Sequence, residues 1–171
     1  TTPEGIVLAA DSRQSYRNPK GMARVGSENA MKLFQINKRI GVGITGLAFL
    51  EEGGVLKNIS KFIEEFKRGS KVEKMEVNDV AIKLHRLFNQ KYKWERQLDA
   101  ARANIERDLQ AKGCQLLEIE KEKYVLKFKF KTPKGTIEEG RAGVDMIELL
   151  VAGYNKDGSH EVYGCQILGE V

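Results

Sequence analysis

The pattern of apolar residues changes at Gly54 from strand-like runs and alternation to a helical stripe with spacings of one and three, and returns to alternation after Gly113, which limits the fold more than any single motif does. Ahead of Gly54, Ile6-Val7-Leu8-Ala9-Ala10 is an unbroken apolar run between Pro3-Glu4-Gly5 and Asp11-Ser12-Arg13, and predicts a strand buried on both faces. Ser12 to Gly26 is polar and basic, with a turn signal at Arg17-Asn18-Pro19-Lys20-Gly21, and predicts a loop. Lys32 to Ile36 alternates with period two. Arg39 to Gly46 follows as another strand, whose glycines leave room for close backbone approach.

From Gly54 onward, Val55, Leu56, Ile59, Phe62, Ile63 and Phe66 form one helical stripe and predict a helix over 54–68. A second helix is expected over 78–112, with Asn78 as its N-cap and Gly113 as its C-cap. Beyond Glu95 it is charged and buries only a narrow seam, so that half is expected to stand out from the main body. Leu117 and Ile119, then Leu126, Phe128 and Phe130, alternate with charged residues and predict a half-buried hairpin connected by Lys121-Glu122-Lys123. After a polar stretch from Thr132 to Ala142, Val144 to Tyr154 and His160 to Leu168 predict two strands joined at Asn155-Lys156-Asp157-Gly158. Strands, then helices, then paired strands make an α+β order around one core.

The composition fits that order. The 171 residues are 41% apolar and 31% charged, and no apolar run approaches the roughly 18 residues that a spanning helix needs. Twenty-nine basic residues against 24 acidic ones leave a net charge of +5, too mild to select a partner. Cys114 and Cys165 stand apart from each other, and His85 and His160 lie on separate elements, so no metal site, disulfide framework or cofactor is expected. The cysteine usage and the absence of an export signal in the first residues suggest a reducing, cytoplasmic setting.

Four blocks in order carry a resemblance: Gly5-Ile-Val-Leu-Ala-Ala-Asp-Ser-Arg13, Ala30-Met-Lys-Leu-Phe-Gln-Ile36, Ile40-Gly-Val-Gly-Ile-Thr-Gly46, and Gly143-Val-Asp-Met-Ile-Glu-Leu-Leu-Val-Ala-Gly-Tyr154 with Asp157-Gly158. Together, over about 1–92 and 141–171, they resemble a β-type proteasome subunit of the N-terminal nucleophile hydrolase superfamily, which also includes bacterial self-compartmentalising peptidases. The resemblance implies a four-layer αββα sandwich of two antiparallel sheets, with helices 54–68 and 78–112 covering one sheet, as a single domain over 1–171 with an insertion over 93–140. It also implies a threonine-type or related peptidase: an N-terminal Thr, Ser or Cys attacks an amide carbonyl while the chain's own α-amino group takes the proton. By position Lys32 resembles the lysine that activates the nucleophile, Asp11 the acid that holds that lysine, and Gly46 the backbone donor to the oxyanion. A homo-oligomeric ring acting on peptides or unfolded proteins is implied, with a regulatory ATPase left open.

The chain departs from that pattern at its start. Thr1-Thr2 looks like the nucleophile, but the family places about ten residues before the glycine matching Gly5, so Thr1 falls short by roughly 20 Å of extended chain. Thr1 to Gly5 is better taken as a hairpin turn, with the nucleophile expected about six residues upstream. The family also continues past Val171 with a Gly-Ser-rich strand end and two helices, so the sequence is expected to be incomplete at both ends. Two rival functions are an inactive structural ring subunit and a nucleic-acid module on the lysine-rich segment Lys121 to Lys134. Period-two alternation sets Phe128 and Phe130 on the face opposite Lys127, Lys129 and Lys131, which favours a solvated lysine edge over nucleic acid.

Overall fold

A computed structural model of the chain describes residues 5–17 and 23–171. In chain order the strands are β1 (Gln14–Arg17), β2 (Ala23–Ser27), β3 (Leu33–Gln35), β4 (Ile40–Gly46), β5 (Phe49–Glu52), β6 (Val55–Asn58), β7 (Gln115–Glu122), β8 (Val125–Lys131), β9 (Ile137–Gly143), β10 (Ile147–Tyr154) and β11 (His160–Gln166). The helices are α1 (Ile59–Gly69), α2 (Val77–Lys91) and α3 (Trp94–Ala111). All the sheets are antiparallel. Where the sequence suggests one core with an insertion over 93–140, the chain forms two compact units: Thr1–Tyr92 with Met146–Val171, and Lys93–Asp145.

The first unit is built on a four-stranded sheet in the order β11-β10-β4-β3. One face of it, carrying Phe34, Ile40, Val42, Ile44, Ile147, Leu149, Val151 and Cys165, is buried. Against it packs α2, whose Val77, Val80, Ala81, Leu84 and Phe88 recur at helical spacing and are fully buried. Phe88 meets Phe62 of α1 edge-to-face, with ring centroids 6.2 Å apart. Arg39 fastens the start of β4 to the start of α2: its guanidinium donates to the carbonyls of Tyr154 (3.1 Å) and Met75 (3.2 Å) and to the Glu76 carboxylate (3.4 Å). Glu52 accepts from Lys57 and Lys91, and these two bonds hold its carboxyl at about 2.

Several sequence expectations change in this unit. Ile6 to Ala10 forms no strand: Val7 is 87% exposed, while Leu8 lies on Gly41, its Cδ1 2.9 Å from where a Cβ would stand. An apolar run signals burial and not ladder pairing, and here the burial is one-sided. The loop expected from Ser12 to Gly26 contains the β1-β2 ribbon, and its turn at 18–21 and the turn at 1–4 lie outside the described residues. Helix α1 begins at Ile59 and not at Gly54, because Gly53 (φ +61°) and Gly54 (φ +81°) form a two-residue turn that commits Val55 and Leu56 to the hairpin β5-β6. Asn58 caps α1, its Oδ1 accepting from the Ser60 N–H at 2.9 Å. The N-cap of α2 is Glu76 and not Asn78, with the Asp79 carboxylate accepting from the Glu76 N–H.

The second unit packs α3 on the sheet β7-β8-β9. The single helix expected over 78–112 stops at Tyr92 and restarts at Trp94, because the stripe ending at Phe88 and Tyr92 is buried in the first core while Leu98 and Leu109 are buried in the second. Trp94 stacks edge-on against Tyr124 at 4.9 Å, and the Lys121 ammonium sits 4.6 Å from its ring centre. The C-cap of α3 is Lys112 and not Gly113, which follows it at φ +67° and turns the chain, with the Cys114 N–H reaching back to the Leu109 carbonyl at 2.9 Å. In the hairpin, β7 runs through Lys121 and Glu122, and the turn falls one step later, with Lys123 at φ +49°. The polar stretch from Thr132 to Ala142, to which the sequence assigns no element, contains β9, which alternation does not reveal because Gly140 occupies an inward position: a Cβ there would stand 2.3 Å from the Phe128 ring. The unit's two ends meet where the Asp145 N–H donates to Gln97 Oε1 at 3.2 Å.

A Cβ at Gly153 in β10 would lie 2.3 Å from the Arg39 carbonyl oxygen, whereas one at Gly164 in β11 would meet nothing within 4 Å. Gly153→Ala is therefore expected to cost about 3 kcal/mol in urea unfolding, and Gly164→Ala less than about 0.5 kcal/mol.

Candidate functional site

Asp11 precedes β1 and Lys32 precedes β3; they are far apart in sequence but are brought side by side by backbone bonds. The Ala30 N–H donates to the Ser12 carbonyl at 2.8 Å, and the Ile44 N–H to the Lys32 carbonyl at 2.9 Å, which extends the β3-β4 ladder to Lys32. The Lys32 ammonium then donates to Asp11 Oδ1 at 2.5 Å. The lysine side chain is only 26% exposed, while the aspartate faces solvent at 70%. The bond from Lys32 holds the Asp11 carboxyl below its ordinary 3.8, helped by the Arg13 backbone N–H.

Lys32 and Gly46 line one cavity of about 150 Å³, together with Gln14, Thr45, Asn58 and Ile59. Gly46 ends β4 at φ +95°, and a Cβ there would stand 2.0 Å from the Met146 carbonyl oxygen, so only glycine fits. The ladder also orients its amide. Leu47 N–H donates to Met146 O and Tyr154 N–H to Arg39 O, which makes the odd-numbered residues of β4 the ones bonded to β10. The Gly46 N–H is thereby aimed away from β10, to the side of β4 on which Lys32 lies.

Of the three residues singled out in the sequence, Lys32 thus bonds to Asp11 and shares the cavity with Gly46, while Asp11 does not line that cavity. Gln14 was not among them: its Nε2 is buried and makes no hydrogen bond. No sequence signal marks it, since an unsatisfied donor becomes visible only once burial is known. A larger cleft of about 640 Å³ runs between Val7 to Ala10 and the outer sheet face at Gly43, Leu150 and Gly164, without a comparable charged pair. Among the described residues, no three His, Cys, Asp or Glu side chains converge to hold a metal ion, and no helix is long and apolar enough to cross a membrane.

No protein-family model matches the chain, and neither the curated proteins nor the solved structures contain a match to it.

Because its pKa is lowered on folding, Asp11 contributes stability above the ordinary carboxylate range, and that contribution fades as the pH falls through the lowered value. In a carboxyl NMR titration Asp11 is expected to protonate below 3.8, and Lys32→Met to move it back up toward that value.

Proposed function

We propose that the chain is the scaffold of a proteasome-like N-terminal-nucleophile peptidase, and the observation that carries this is the Lys32–Asp11 pair beside a cavity that also holds the Gly46 amide. The nucleophile is a Thr, Ser or Cys at the mature N-terminus. Its proton passes to the α-amino group as its oxygen or sulfur bonds to the substrate's carbonyl carbon; the amine returns the proton to the leaving nitrogen as the C–N bond breaks, and water then hydrolyses the acyl-enzyme. Lys32 stabilises the developing anion on the nucleophile, and Asp11 keeps the ammonium aimed. The Gly46 N–H donates to the oxyanion.

The proposed fold is the four-layer sandwich, with a second antiparallel sheet on the outer face of β11-β10-β4-β3, and the proposed assembly is a ring that encloses peptide or unfolded substrates. Leu8 already resting on Gly41 supports a second apolar layer on that face. The nucleic-acid alternative gains nothing from the lysine strand: Lys127 is ion-paired to Glu122, and Lys129 lies 3.8 Å from Glu118 and 3.5 Å from Glu139, so that face carries both signs.

N-terminal sequencing of the mature natural protein, paired with a fluorogenic-peptide assay, tests the reading. A nucleophilic residue is expected about six positions before Thr1, and Lys32→Ala is expected to lower kcat/KM roughly a thousandfold with no change in assembly mass by light scattering. Full activity in Lys32→Ala would sink it, and a mature terminus without a nucleophile would leave an inactive subunit.

A further inference from the structure

Strand β9 is an outer strand of the second unit's sheet, and its ladder with β8 runs without a bulge or a proline. The other outer strand, β7, is interrupted by a bulge between Leu116 and Glu118, a common way of blunting an edge. At the two ends of the β8-β9 ladder the Val144 N–H donates to Tyr124 O at 3.1 Å and the Thr132 N–H to Thr136 O at 2.8 Å. Antiparallel pairs alternate between bonded and unbonded, so the even-numbered residues of β9 bond to β8. The N–H and C=O groups of Ile137, Glu139, Arg141 and Gly143 therefore point outward.

We infer that β9 pairs with β9 of a second copy of this chain, antiparallel about a two-fold axis through Gly140. In this register Glu139 of each copy stands opposite Arg141 of the other, and Ile137 opposite Gly143, with each pair exchanging two backbone hydrogen bonds. The charges select the register. The nearest shifts that keep the outward groups paired would set Glu139 against Glu139, or Arg141 against Arg141, and like charges directly opposite are unfavourable. Within one copy, the residue directly across the ladder from Arg141 is Lys127, another cation, so an acid arriving on the open side of Arg141 is favourable. The meeting of Gly140 with Gly140 adds no side chains at the axis, where unbonded pairs approach most closely. The contact is isologous, so it joins copies in pairs and closes on itself, whatever other surfaces build.

The inference stands apart from the peptidase reading and is tested by sedimentation of the full chain over a concentration series. Arg141→Glu and Glu139→Arg each set like charges opposite one another twice, and each alone is expected to self-associate roughly tenfold more weakly, with the assembly mass falling by half. In an equimolar mixture of the two variants, one strand offers two acids and the other two bases at these positions, so every facing pair is again of opposite charge and the wild-type mass is expected to return. Recovery also shows that both variants are folded, since two misfolded chains do not complement each other. A wild-type chain that does not associate, variants that associate as the wild type does, or a mixture that fails to recover would each overturn the inference.

Discussion

The antiparallel ladder between β4 and β10 is the constraint on which the first unit depends. Its parity sends Ile40, Val42 and Ile44 to one face with Leu149 and Val151, creating the apolar wall that α2 covers. The same parity leaves the even-numbered amides of β4 on the side away from β10, where the Ile44 N–H donates to the Lys32 carbonyl and Gly46 faces the cavity. A slip of one residue would expose the core stripe and turn the Gly46 amide toward β10. Core and candidate site are therefore set by one register, and the left-handed conformation of Gly46 marks where that register stops.

Polar contacts anchor this frame at its rims. Arg39 gathers carbonyls from two separate segments, a task suited to a planar cation with several donors. The Lys57 ammonium lies 4.8 Å from the Phe62 ring centre while bonded to Glu52 and Glu65, so a side chain of the apolar stripe shares its surface with an ion-pair cluster. In the second unit, the solvent face of β7-β8-β9 sets Glu118 and Glu120 opposite Lys129 and Lys127, which keeps a charged face of the sheet near neutrality.

The sequence carried the elements whose side chains repeat regularly. The alternation at Leu33 to Gln35 and at Leu126 to Phe130, the apolar stretch ending at Tyr154, and the helical stripe from Ile59 to Phe66 all correspond to observed elements. Where glycine stands in for a side chain, or where burial changes cores in mid-helix, the pattern says less. Gly140 hides β9, Gly53-Gly54 turns the chain before α1, and no glycine or proline marks the break at Tyr92, which follows from which core takes each stripe. Lys32, Asp11 and Gly46 were singled out by the order of the blocks, and the structure bonds Lys32 to Asp11 and sets Lys32 with Gly46 on one cavity. Gln14 was not, because an orphaned donor is a property of the packed state alone.

The hydrogen bond from the Asp145 N–H to Gln97 brings together the entry and the exit of a unit that holds its own helix, sheet and buried leucines. To the remainder of the chain such a unit counts as a loop whose ends are already joined, so lengthening, trimming or exchanging its contents changes the closure entropy only logarithmically. The Lys93–Asp145 unit is thus built as a cassette: recombination could replace it wholesale while leaving the β4-β10 register untouched.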